Sequence, residues 1–270
     1  MLILGYLAAV LMGMVLGVIG GGGSILTVPI LVYLMGVQAD VATGYSLLIV
    51  GTTAAFGAVR YFRQGLVDIR ASILFAIPSI IAVYLSRAYL MPNIPDQILS
   101  SPFSLTKNTA IMVLFAILML SSAALMLRKV YKKAPPIGDI KLIKETSSNV
   151  KVGLIVLEGA LVGVVTGILG AGGGFLIIPA LVLFLNMPMK LAVGSSLFII
   201  ALKSLLGFTG DLQAGIELDV PLLPLMLLAT CLGMAISTKI AGKLEGDALQ
   251  KFFAFFTLTI AIFIITKELI

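Results

Sequence analysis

Gly17-Val18-Ile19-Gly20-Gly21-Gly22-Gly23-Ser24, followed by Ile25-Leu26-Thr27-Val28-Pro29, returns later in the chain as Gly167-Ile168-Leu169-Gly170-Ala171-Gly172-Gly173-Gly174, followed by Phe175-Leu176-Ile177-Ile178-Pro179. Glycine has no Cβ and holds a helix poorly. Clustered inside an apolar run, these glycines are expected to break the helix. In a bilayer, broken backbone persists only where protein buries it or where it lines a wet cavity. Two such breaks in corresponding places point to the binding site of a transporter.

The rest of the chain fits a membrane setting. Hydrophobic residues make up 60% of 270 and charged residues 11%, against about 45–50% and about 25% in soluble domains. The fold class expected is an all-α integral membrane protein, in contact with the lipid bilayer. The net charge of +6 sits mostly in loops between apolar runs, which suits membrane orientation better than nucleic-acid binding. Cys231 is alone and can form no intrachain disulfide. Histidine is absent, which removes the usual zinc sites and His-based acid–base chemistry. There is no Walker A sequence, so ATP drive within the chain is not expected. No nucleophile–base constellation stands out either. No enzyme activity, catalytic residue, metal or cofactor is expected. The start of the chain lacks a basic n-region and reads as the first membrane segment.

Eight hydrophobic stretches follow one another: 2–34, 41–60, 71–90, 108–127, 152–185, 191–209, 220–238 and 252–266. Between them, 91–107 (three prolines) reads as a loop, 210–219 as an acidic loop and 239–251 as a mixed charged loop. Residues 128–151, with seven Lys/Arg, read as a basic linker between a first repeat (1–127) and a second (152–270). At a constant offset of 150, Gly17/Gly167, Gly20/Gly170, Pro29/Pro179, Gly44/Gly194, Ser46/Ser196 and Gly57/Gly207 match without a gap. Apolar positions match easily by chance; Gly, Pro and Ser positions do not.

The direction of the halves depends on how often the broken stretches cross. If each crosses once, there are eight spans, the halves are parallel, and Lys/Arg divide 11 to 6 between the two faces. If each is a hairpin or re-entrant helix turning at its glycines, there are up to ten segments and the halves are inverted. The linker face then carries 14 (Arg60, Arg63, Arg70, the seven of the linker, Lys190, Lys239, Lys243, Lys251) and the other face three (Arg87, Lys107, Lys267). The positive-inside rule prefers the second arrangement. It places the linker in the cytoplasm and both termini outside a multi-pass cell-membrane protein. Stretch 24–35 is short for a full crossing and reads as a half-helix.

Helix N-termini present free N–H groups and a partial positive charge, a ready place for an anion. Gly20, Gly22, Gly23 and Ser24, with Thr27 behind them, and Gly170, Gly172, Gly173 and Gly174 are therefore candidate substrate-binding residues; close packing of small residues is the alternative. Thr43-Gly44-Tyr45-Ser46 and Val193-Gly194-Ser195-Ser196 form a second matched pair. Ser46, Ser195 and Ser196 are candidate donors to an oxyanion, or else bond back to their own helices. Lys203 lies inside a span, where an ionisable residue is a functional hypothesis by default; snorkelling to a surface is the alternative. Glu158 is a candidate proton site, while Arg60 and Asp211 read as interfacial.

The paired Gly-x-x-Gly-x-Gly-Gly stretches, each followed by an apolar run and proline, with Gly44-x-Ser46 and Gly194-x-Ser196 behind them, resemble the TauE/SafE family of sulfite-exporter-like membrane transporters. The resemblance runs along nearly the whole chain. It implies movement of a small sulfur-containing anion, such as sulfite or an organosulfonate, across the cytoplasmic membrane. Gly174 stands where the first copy has Ser24, so a serine role does not carry to both sites. The function expected is a secondary transporter working by alternating access, driven by a proton or ion gradient, with a homo-oligomer allowed. A passive anion channel and a non-transporting membrane scaffold are the alternatives.

Overall fold

The computed structural model describes residues 2–95, 97–99, 105–131, 148–170, 172–183, 185, 187–241 and 246–269. Ala171 of the second break, most of the expected linker (132–147) and part of the expected 239–251 loop lie outside the described residues.

Apolar runs in a bilayer must satisfy their own backbone, so they wind into helices. Among the described residues there are ten: α1 Leu2–Ile19, α2 Gly23–Leu34, α3 Ala39–Arg63, α4 Ile69–Asn93, α5 Lys107–Tyr131, α6 Ser148–Leu169, α7 Gly174–Leu183, α8 Met189–Gln213, α9 Leu222–Ala241 and α10 Gly246–Leu269. Five of them (α3, α4, α5, α8 and α10) contain stretches long and apolar enough to cross a membrane, and the other five contain shorter apolar helices. At 1.5 Å per residue, α2 and α7 extend only about 15–18 Å, against about 30 Å of hydrocarbon. They are half-helices.

Three sequence expectations are corrected. The 91–107 region is not wholly loop: α4 continues to Asn93, and Gln97–Leu99 (β1) pairs antiparallel with Leu105–Thr106 (β2). Outside the helices, this pairing is how that backbone meets its hydrogen bonds. Asp211 is not in an acidic loop, because α8 runs on to Gln213. Arg87, counted among the charges of the outer face, is instead buried, in a π-helical turn, Ser86–Leu90, within α4.

Among the described residues, the main packing pairs of the first five helices have counterparts among the last five. α1 packs on α9 as α6 packs on α4; α4 lies on α8 as α9 lies on α3; α3 faces α8 and α5 faces α10. Glycine contacts give the directions. Gly13 approaches Thr230 and Gly17 approaches Ser237, so α1 and α9 are parallel. Gly159, Gly163 and Gly167 approach Phe75, Ser79 and Ser86 in turn, so α6 and α4 are parallel. Gly44 lies against Asp211 and Gly194 against Leu66, so α3 and α8 are antiparallel. The Thr53–Thr230 hydrogen bond and the Gly57–Met234 contact run α9 parallel to α3. The matched helices α1/α6, α3/α8 and α4/α9 thus run in opposite directions, the arrangement that an odd number of segments per half requires.

Within their most apolar windows, α3 and α8 are 72% buried, against 33% for α4 and α10, so the α3–α8 pair forms the centre. On the outside, Ile69, Ile73, Ile77, Ile81 and Leu85 are exposed at every fourth position of α4. That spacing makes one stripe along a helix, and lipid is the solvent that such an apolar face suits.

Candidate functional site

Both breaks turn on a glycine in the left-handed region: Gly20 at φ 74° and Gly170 at φ 66°. Residues with a Cβ reach that region at a cost, glycine freely. Beyond these positions the copies differ. The first passes into a 3-10 turn, Gly21–Leu26; the second passes two further left-handed glycines, Gly172 and Gly173, before α7 opens at Gly174.

Each break rests on the other half. A Cβ on Gly20 would lie 2.8 Å from Ser196 Oγ and 3.0 Å from Val193 Cα, at the start of α8. A Cβ on Gly170 would run into the backbone of Thr43, at the start of α3. Between them the breaks meet: Gly21 and Gly174 pack backbone against backbone, with no room for a Cβ on either. The centre of the molecule is thus closed by glycine. The surface grooves are of another kind; one is lined by Leu11, Val15, Val18, Leu249 and Phe252 and faces outward.

The hydroxyls divide into two groups. Ser24 Oγ donates to Gly21 O (2.6 Å), Ser196 Oγ donates to Val193 O (2.8 Å), and both therefore bond back locally. Ser196 Oγ also accepts from Gly21 N–H (3.4 Å), which ties it to the first break. Ser195 Oγ accepts from Asp68 N–H (2.9 Å) and is engaged at the α3–α4 connection, not at the breaks. Thr27 Oγ1 and Ser46 Oγ are buried with no hydrogen-bond partner, a state shared by Ser72, Ser79 and Ser204. An unpaired buried hydroxyl is costly, so each is a donor in want of an acceptor. Gly22 lies within the 3-10 turn, Gly23 N–H donates to Gly20 O (3.4 Å), and Gly172 faces Val50 and Ile200.

Lys203 does not snorkel. It is fully buried, and its Nζ donates to Thr166 Oγ1 (2.8 Å). A Cβ on Gly173 would come within 2.5 Å of that Nζ, so the ammonium lies directly on the second break. Among the described residues no carboxylate pairs with it. Thr166 carried no signal in the sequence beyond being a hydroxyl shortly before the break. Glu158 is half-buried on α6.

A second charged cluster went unread in the sequence. Arg87, 1% exposed, places Nε 3.1 Å from Asp211 Oδ2 and donates from Nη1 to Thr43 Oγ1 (3.0 Å). Asp211 is 7% exposed and is not interfacial. The signal was available: Arg87 falls inside the hydrophobic stretch 71–90, and a charge within a span is informative wherever it occurs. Arg87, Lys203 and Asp211 are the buried charged side chains among the described residues. The interior therefore holds two basic side chains and one carboxylate, and the carboxylate lies beside Arg87.

Among the described residues ten apolar helices, with broken half-helices meeting at the centre beside buried basic groups, make the architecture of a multi-pass membrane protein. Comparison with known proteins agrees. The family described as "Sulfite exporter TauE/SafE" matches residues 5–264, and the chain belongs to it. It is 32% identical over 193 residues to a "Probable membrane transporter protein" of Xylella fastidiosa (strain Temecula1), covering 69% of this chain and 65% of that protein's length. It is 28% identical over 232 residues to the "Probable membrane transporter protein YunE" of Bacillus subtilis, covering 78% and 79%. A relative in Methanocaldococcus jannaschii, also named a probable membrane transporter protein, is 26% identical over 255 residues, 87% of each chain. No solved structure matches.

Proposed function

We propose that this chain carries a small oxyanion, sulfite or an organosulfonate, by alternating access, binding it between the two glycine breaks. The observation that carries this reading is the buried Lys203 amine, which lies against Gly173 with the Thr166 hydroxyl as its partner and no carboxylate among the described residues. A buried ammonium is expensive without a counter-charge, and an anionic substrate supplies one. The unpartnered Thr27 and Ser46 hydroxyls add neutral donors. Gly20, Gly22, Gly23, Gly170, Gly172 and Gly173 let an oxyanion approach the backbone, with Ser24, Gly174 and Ser196 shaping the edges of the site. Ser195 takes part at most by holding the α3–α4 connection in place.

Binding requires the Gly21–Gly174 contact to part. The two halves, 1–127 and 152–270, then act as inverted repeats that rock against each other. The charge distribution argues for a cytoplasmic linker and outside termini. A proton or ion gradient drives the cycle. The choice of a sulfur oxyanion follows the family's description.

The test is flux of radiolabelled sulfite into liposomes containing the purified protein, with and without a pH gradient, and with methanesulfonate as competitor. Saturable, competed flux that Lys203→Met removes supports the reading. Folded protein that moves neither sulfite nor methanesulfonate overturns it.

A further inference from the structure

We propose that Arg87 forms a second oxyanion site, at the membrane face opposite the linker, and that Asp211 occupies it when no substrate is there. The proposal rests on the transport reading but concerns different residues. α4 and α8 run parallel, as the Gly207–Val83 and Gly210–Arg87 contacts require, so Arg87 and Asp211 both lie near the ends of their helices on one face. α5 turns back from that face towards the linker. Arg87 is also set apart in its own helix, because it stands in a π-helical turn, a distortion often found at functional sites.

The pairing is a poor one for a purely structural bridge. A guanidinium and a carboxylate fit as a two-bond fork. Here only Nε approaches Asp211 Oδ2, at 3.1 Å, and neither atom makes a hydrogen bond of acceptable geometry. Nη2 is buried with no partner at all. Nη1 is fixed by Thr43 Oγ1 (3.0 Å), whose own hydroxyl donates to Asp40 O (2.6 Å). The guanidinium is thus held in place with Nη2 unpartnered and Nε in ionic contact alone. A tetrahedral or pyramidal oxyanion, with several oxygens to offer, fits those nitrogens better than the carboxylate does. Gly44 and Gly210 let the helices close tightly around the pair: a Cβ on Gly44 would lie 3.3 Å from Asp211 Cγ, and one on Gly210 3.0 Å from Arg87 Cβ, so an anion enters only as Asp211 withdraws.

The site is linked to the centre. Thr43, which steadies Arg87, is the residue on which Gly170 rests. An anion that displaces Asp211 at Arg87 is therefore one residue removed from the second break, with Lys203 beyond it. In the inverted copy the position matching Arg87 is Ser237, whose Oγ donates to Met234 O (3.0 Å), while Arg60 Nη1 donates to Ala235 O (3.4 Å) two residues before it. There Tyr61, at the position matching Asp211, donates its hydroxyl to Gly17 O (2.8 Å). The matched positions of the two halves, Arg87 and Asp211 against Ser237 and Tyr61, therefore differ in charge.

Two variants of the full chain separate a binding site from a structural bridge: Asp211→Asn, which removes the competitor and keeps the guanidinium, and the double variant Arg87→Gln/Asp211→Asn, which removes both charges and leaves no buried ion unpaired. Sulfite binding is measured by calorimetry on protein in nanodiscs, with folding checked by thermal unfolding and with radiolabelled sulfite flux in liposomes. Asp211→Asn is expected to bind sulfite at least threefold more tightly than wild type. The double variant is expected to lose that gain and to show KM at least tenfold above wild type. Should Asp211→Asn fail to fold, the double variant decides. Folded Asp211→Asn with unchanged or weaker binding, or a double variant with wild-type KM, overturns the proposal. If wild type and these variants bind sulfite alike while Lys203→Met does not, the second site falls alone; if wild type binds no sulfite, both readings fall.

Discussion

Replacing Gly21 by alanine should damage this protein by an amount the geometry fixes. The new Cβ would fall on Gly174 Cα, 2.5 Å from Gly174 C and 2.8 Å from its O. Carbon atoms settle at about 3.5–4.0 Å, so the two breaks must part by at least about 1 Å. The obstacle is backbone on both sides and no rotamer relieves it. Overpacking of this kind costs about 1–3 kcal/mol, which shifts an equilibrium between closed and open arrangements about 5- to 150-fold. Gly21→Ala should lower the unfolding temperature and reduce sulfite flux at least fivefold. Gly174→Ala should do the same from the other side. Because the first methyl already forces the gap, the second should cost less in its presence, so the double variant should be sub-additive. Gly153→Ala, an exposed helical position with nothing within 4 Å of the added Cβ, serves as control. Behaviour of Gly21→Ala matching that control, or full additivity of the pair, would refute the reasoning.

Lys203→Met should leave the unfolding temperature unchanged or raised, since a buried charge gives way to an apolar chain of similar length, while flux falls at least tenfold; thermal scans and flux assays on one preparation check both. Arg87→Gln alone should destabilise by about 3–5 kcal/mol because it strands Asp211, and Arg87→Met/Asp211→Leu should recover most of that loss in thermal unfolding. Impermeant labelling of single cysteines in a Cys231→Ser background should find residue 140 accessible from the cytoplasm and residue 4 from outside; the reverse pattern would contradict the charge-based orientation.

The two breaks were legible because glycine clusters cannot hide in an apolar helix, and their equivalence because Gly, Pro and Ser recurred at a fixed offset. The half-helical length of α2 was legible from 24–35 by arithmetic on the rise per residue. Lys203 announced itself by lying inside an apolar stretch. Arg87 and Asp211 did not, for a physical reason: charges are read as helix ends because alone they favour water, and these two stay inside because each relieves the other across helices far apart in the chain. Hydropathy along one helix cannot see a partner on another. The Thr166 hydroxyl and the back-bonding of Ser24 and Ser196 were equally out of reach, since hydroxyls are common in such helices and their partners depend on packing.

The glycine contact at the centre also bears on leakage. A carrier can draw on a gradient only while ions and water fail to slip through it unaccompanied. Many seals rest on bulky side chains, whose rotations open brief gaps. Here the plug at Gly21 and Gly174 is main chain against main chain, with nothing that can rotate aside. Such a plug opens only when whole helices move, and in the proposed alternating-access cycle those are the motions that carry cargo.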